Sequence, residues 1–118
     1  MRNLHKTRAK MRIFVLKSCD SSRAALRALR ASGIEPLVID IRDDGVSPVD
    51  RAEMIAALGP GVVNRASTTW RGLSEAERSR DTDALLAQYP TLMKRPVIEF
   101  DGKWFMGWGK DTQSWLLG

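Results

Sequence analysis

The feature that most restricts the folds open to this chain is an apolar run, Ile13-Phe14-Val15-Leu16, with no polar residue alternating into it. A strand exposed on one side alternates apolar and polar side chains, whereas a run without alternation suits a short strand covered on both faces, as at the centre of an α/β sheet. Asp20 and Ser21 then open a segment reaching Ser32. In it Ala25, Leu26 and Leu29 share one face, and Arg23, Arg27 and Arg30 line another. That spacing predicts an amphipathic helix, closed by Gly33. Leu37, Val38, Ile39 and Ile41 predict a second strand, broken at Asp43, Asp44 and Gly45, residue types that favour a turn. Strand, helix and strand in that order set the two strands parallel through a right-handed crossover, with the helix on one face.

The middle of the chain reads as helical. Ser47 before Pro48, with Asp50 three positions after the serine, signals a helix start; Val49, Ile55 and Leu58 supply its apolar side, and Gly59-Pro60 stops it. Ser74 and Glu77 form a capping box for a short helix. A third runs from Asp81 to Tyr89, with Leu85 and Leu86 inward and Pro90 beyond its end. Val97, Ile98 and Phe100, the pair Asp101-Gly102, then Trp104, Phe105 and Met106 predict a hairpin around a tight turn, and Asp111 to Leu117 a closing helix. The order β-α-β-(ααα)-β-β-α matches a thioredoxin-like mixed sheet of the α/β class, with a helical insertion between the second and third strands. One such domain is expected over 11–118, after a basic flexible tail over 1–10.

With 118 residues, 43% of them hydrophobic, the chain builds one core without a disulfide or metal staple. Nineteen basic residues against fourteen acidic ones suggest a polyanion partner, but Arg2, Lys6, Arg8 and Lys10 of the tail account for four of the five excess charges. The near-neutral remainder argues against direct nucleic-acid binding by the domain. The tail lacks the hydrophobic stretch of a secretory signal, and the apolar runs elsewhere are too short to span a bilayer. A cytoplasmic protein with no membrane contact is expected. His5, alone in the tail, reads as solvated, and no metal site is expected.

The chemistry centres on Cys19, the one cysteine, which falls between a strand end and a helix start. Open α/β sheets carry functional residues at that edge. The positive end of the helix dipole and the free N–H groups of the first turn favour thiolate over thiol. Flanking Lys17 and Arg23 add to this and Asp20 opposes it, so a lowered pKa is expected. The competing reading is a cysteine that acts as a small buried hydrophobe, since free cysteine is among the most buried residue types. In Cys19-Asp20-Ser21-Ser22 a serine stands where a dithiol would have its second cysteine. Turnover through Cys19 therefore needs an external thiol, such as glutathione or a glutaredoxin-type partner.

Lys17-Ser18-Cys19-Asp20, Asn64-Arg65 followed by Thr68-Thr69-Trp70-Arg71, and Lys94-Arg95-Pro96-Val97 together resemble the arsenate reductase (ArsC)-like and Spx-like proteins, thioredoxin-fold relatives of glutaredoxin, with the YffB-type branch nearest. The resemblance runs over residues 11 to 118. It implies Cys19 as nucleophile, Arg95 and Arg65 as the arginines that hold its anionic partners, and a cis peptide bond before Pro96. Arg23, Lys17, Pro96 and Trp70 are the further candidates for contact with substrate or glutathione. Arginine suits the task because its planar fork binds oxyanions and carboxylates bidentately and keeps its charge. Arg71 and Lys94 read as surface charge, and Trp104, Trp108 and Trp115 as packing.

Two departures from the family's arsenate reductases stand out: Val15 replaces a histidine four residues before the cysteine, and Gly107 stands about where a third active-site arginine is found. Losing one of three cationic contacts to an oxyanion costs about 1.5–3 kcal/mol. Three readings follow. The first is a glutathione-linked thiol oxidoreductase with no tightly bound cofactor, acting on a mixed disulfide or a small oxyanion. The second is a true arsenate reductase. The third is an Spx-like regulator that binds RNA polymerase, although Ser22 denies the chain the CxxC switch of many such proteins.

Overall fold

The computed structural model describes residues 11–118; the tail expected over 1–10, with His5, lies outside the described residues. The apolar run becomes β1 (Met11–Val15), one residue or more earlier at each end than its composition indicated. β1 pairs in parallel with β2 (Leu37–Asp40), placing Val15 beside Asp40. On its other side it runs antiparallel to β3 (Val97–Phe100), placing Phe14 beside Val97. β3 in turn pairs antiparallel with β4 (Lys103–Met106). The order β2-β1-β3-β4 is a thioredoxin-like mixed sheet with β1 interior.

Because side chains alternate along a strand, β1 feeds two cores. Met11, Ile13 and Val15 meet Ala25 and Leu29 of α1 (Asp20–Ala31) and Leu116 of α6 (Lys110–Leu117). Phe14 and Leu16 meet Ile41, Met54, Leu85, Leu86, Leu92 and Val97 on the opposite face. Ile41, expected in the second strand, follows it and is buried, while the chain turns under Asp40, whose carboxylate accepts the N–H groups of Arg42 and Asp43 at 2.9 and 2.8 Å.

The opposite face is covered by the helical insertion. α2 (Pro48–Leu58) starts where expected, Ser47 accepting the N–H of Asp50. Its inward face differs from the expectation: Val49 is 66% exposed, and Met54 is the fully buried residue, flanked by half-buried Ile55 and Leu58. Five positions separate Val49 from Met54, about 140° around a helix, so one cannot face the core when the other does. A helix the sequence did not announce, α3 (Thr68–Arg71), is capped by Ser67. α4 (Glu75–Arg78) carries the full capping box of Ser74 and Glu77, and α5 (Thr82–Gln88) is capped by Asp81 and buries Leu85 and Leu86.

Single 3₁₀ turns at Pro60–Val62 and Pro90–Leu92 each lead into an extended residue. Those residues, Val63 and Met93, pair antiparallel, with Asn64 N–H bonding Leu92 O at 2.7 Å and Lys94 N–H bonding Val62 O at 2.8 Å. The hairpin turn is Asp101-Gly102, both residues left-handed at φ +52° and +82°, the conformation that an Asp-Gly pair accepts most readily. Trp104 stacks on Phe14 at 5.8 Å and Trp115 packs on Phe100 and Phe105, as expected of core aromatics. Among the described residues no helix is long and apolar enough to cross a membrane.

Candidate functional site

Topology alone brings two distant stretches together. β1 ends at Val15, three residues before the loop gives way to Cys19, and the antiparallel start of β3 lies beside that end, which sets Arg95 and Pro96 against the loop. The Arg95–Pro96 peptide is cis, as the resemblance implied, and Pro96 is buried.

Cys19 is the N-cap residue of α1, extended at φ −90°, ψ 123°, and half-buried. Its N–H bonds Leu16 O at 2.9 Å, and its carbonyl accepts the N–H of Arg23 at 3.1 Å. Burial pushes the thiol pKa up, but the backbone N–H of Ser22, the Arg95 guanidinium and the Ser22 hydroxyl all favour the anion, and the balance holds it below the ordinary thiol value. Ser22 is 1% exposed, and its Oγ also accepts the N–H of Leu16 at 3.3 Å, tying the first turn of α1 to the end of β1. The sequence reading treated Ser22 only as a missing cysteine. Its place on the Ala25–Leu29 face, three residues after the cap, was the available sign that it points inward.

Arg95 Nη1 donates to the carbonyls of Thr91 at 2.7 Å and Met93 at 3.2 Å, which orients the guanidinium without neutralising it. Its Nε is buried and has no hydrogen-bond partner among the described residues.

The other candidates sit differently. Lys17 Nζ pairs with Asp43 at 3.0 Å in the open. Arg23 pairs with Asp20 and donates to Lys17 O at 3.0 Å. Both flanking cations thus carry a carboxylate partner, and Ser22 and Arg95 are the groups that favour the thiolate. Arg65 donates to Pro60 O at 3.1 Å and Val63 O at 3.4 Å, and its guanidinium lies 5.2 Å from the centre of the Trp70 ring. It makes no bond to Cys19. Trp70 reaches the site through its neighbour: Thr69 Oγ1 lies 3.3 Å from Thr91 Oγ1, on the residue whose carbonyl holds Arg95. Trp70 and Cys19 pack on the same core.

Val15 is buried against α1, on the opposite face of β1 from Phe14. Gly107, whose N–H bonds Pro96 O at 2.8 Å, has φ +82°. A side chain there would meet open space but an unfavourable backbone.

The ArsC family model matches residues 14–114. An uncharacterized protein of Haemophilus influenzae is 40% identical over 103 residues, spanning 83% of this chain and 90% of its own length. An arsenate reductase of Rhizobium meliloti is 31% identical over 87 residues, spanning 69% of this chain and 62% of its own. Among solved structures, the YFFB protein superposes with a TM-score of 0.85 at 26% identity, covering 92% of this chain and 99% of its own. An arsenate reductase (ArsC) related protein from Brucella melitensis does so with a TM-score of 0.70 at 28% identity, covering 90% and 93%.

Proposed function

The chain belongs to the ArsC family, and from that premise we propose that it is a thiol-dependent oxidoreductase in which Cys19 is the nucleophile and an external thiol closes the cycle. The observation that carries the reading is the convergence of Arg95 and the first-turn Ser22 on the Cys19 sulfur, which holds its pKa down. A thiolate attacks one sulfur of a mixed disulfide; the new bond to Cys19 forms as the substrate S–S bond breaks, and the departing sulfur takes the electron pair as a thiolate. A second thiolate, from glutathione or a glutaredoxin-type protein, then attacks the bond just formed and returns Cys19 as thiolate. Buried Ser22 cannot do this work. No bound cofactor takes part, and a thiol regenerated by glutathione suits a reducing, cytoplasmic compartment.

Mixed disulfides fit better than arsenate. Gly107 in its left-handed conformation offers no third guanidinium, and Val15 is part of the core. The site then presents one uncompensated charge to the thiol, Arg95, which suits a substrate that is not itself a compact multiply charged oxyanion. The test is steady-state reduction of a mixed disulfide and of arsenate with glutathione, beside Cys19→Ser. Disulfide reduction lost in the variant is expected; activity that survives the substitution refutes the mechanism.

A further inference from the structure

The arginines of the described residues fall into distinct populations. Arg12, Arg23, Arg30 and Arg51 each meet a carboxylate. Arg65, Arg71 and Arg78 meet only neutral carbonyls, although all three are exposed. Arg65 donates to Pro60 and Val63, Arg71 to Ala66 at 2.7 Å, and Arg78 to Trp70 at 3.2 Å and Arg71 at 3.0 Å. Carbonyl bonds of this kind tie α4 to α3 and fix where each guanidinium points. They leave the charge uncompensated and most of the five donors of each group free. Two of the three lie over one aromatic ring, Arg65 at 5.2 Å and Arg78 at 5.6 Å from the centre of Trp70. That ring belongs to the helix whose Thr69 touches the loop holding Arg95.

We propose that Trp70, the two guanidinium groups over its ring, Arg65 and Arg78, and Arg71 of the same helix dock an acidic polypeptide segment that carries the disulfide on which Cys19 acts; this rests on the thiol-exchange reading above. Three cations on three successive segments of the insertion call for several carboxylates along a chain. A small thiol with one or two would leave part of the array unmet. Glu75, Glu77 and Asp81 border the array on the adjoining turns, so an anionic partner must place its charges only where the three guanidinium groups stand, which a polypeptide with a few carboxylates can do and a continuous phosphate backbone cannot. A lipid surface finds no apolar anchor there, since the exposed large apolar residues are Leu37, Val49 and Leu117. The docked chain positions its own sulfur; the exchange then conserves atoms as written above, the peptide sulfur passing to Cys19 and the blocking group leaving as a thiolate.

The experiment uses two synthetic peptides, each with one cysteine blocked as a neutral nitropyridyl disulfide. In one the flanking residues are Asp and Glu; in the other they are Asn and Gln. Release of the chromophore is followed with glutathione at low and high salt. Each exposed guanidinium–carboxylate pair contributes about 1.5- to fivefold, so an acidic peptide reaching two or three pairs should show a KM about tenfold lower at similar kcat. High salt and Arg78→Gln should both narrow that ratio. Equal KM values at low salt overturn the docking proposal while leaving the thiol-exchange reading intact.

Should neither peptide react, the exchange reading fails, and calorimetric binding of both peptides to Cys19→Ser still decides the docking: equal affinities overturn it, tighter binding of the acidic peptide supports it. A short DNA duplex that competes as well as the acidic peptide itself also overturns the assignment to polypeptide. If Arg78→Gln unfolds the insertion, the salt titration of the unaltered protein carries the same information.

Discussion

Arg95→Gln isolates the electrostatic contribution to the thiol, because glutamine keeps a polar side chain in place while removing the guanidinium that favours the Cys19 anion. A hydrogen bond to a charged group is worth about 1.5–3 kcal/mol. Cys19 is only half-buried, so solvent screening brings the expected loss to about 1 kcal/mol. The thiol midpoint must rise, since the lost group stabilised the anion. At a pH below both midpoints the thiolate fraction falls about fivefold. Nucleophilicity grows with basicity, with a Brønsted coefficient of about 0.4–0.5, so the observed rate falls only about 2- to 3-fold and the plateau above both midpoints rises about twofold.

The assay is the rate of reaction with dipyridyl disulfide against pH, a neutral probe whose approach does not feel the missing charge. The two profiles should cross. Arg95→Lys keeps the charge and should restore part of the low-pH rate. Profiles that superimpose, with circular dichroism showing both proteins folded, refute the assignment of Arg95 to the sulfur.

Three further outcomes follow from the same geometry. Ser22→Ala removes the acceptor of the Leu16 N–H as well as a bond to the thiol; it should raise the same midpoint and cost about 1–3 kcal/mol in urea unfolding, and an unchanged midpoint counts against the role given to Ser22. Asp40→Ala unties the turn after β2 and should cost about 1–2 kcal/mol at neutral pH. The Asp43 N–H, assisted by Arg42 and Lys17 and opposed by burial, holds the Asp40 carboxyl below its ordinary value of 3.8. That stability is therefore present above the ordinary value and lost as pH falls through the folded one. The difference between the two proteins should shrink on acidification, and a difference constant down to strong acid contradicts the argument. Gly107→Arg forces a side chain onto φ +82° and should cost about 1–2 kcal/mol, a fall of ~4–8 °C in Tm; an unchanged Tm shows that the backbone there tolerates arginine.

What could be read in the sequence was local, and what escaped it was not. The Ser47, Ser74 and Asp81 caps, the Asp101-Gly102 turn and the two-sided burial of β1 depend on residues within a few positions of one another, and each is present. α3 escaped because four residues, two of them β-branched threonines, carry too little periodicity to announce a helix. The inward face of α2 escaped because Val49, Met54, Ile55 and Leu58 offer more than one apolar stripe, and only contact with the sheet and α5 selects between them.

The electrostatics of the site lie further still from the reach of local pattern. A cation's effect depends on whether a carboxylate neutralises it, and for several cations that carboxylate comes from elsewhere: Asp43 for Lys17, Asp50 and Glu99 for Arg12, Asp83 for Arg51, whereas Arg23 takes its neighbour Asp20. Lys17 and Arg23 adjoin the cysteine in sequence and are compensated. Arg95 lies far from it in sequence, is oriented by carbonyls alone, and keeps its full field for the sulfur. Proximity along the chain therefore ranks the cations around Cys19 in the wrong order. The rank comes from the antiparallel pairing of β1 with β3, which no single segment encodes, and so a substitution that loosens that pairing should disturb the thiol more than one that removes either neighbouring charge.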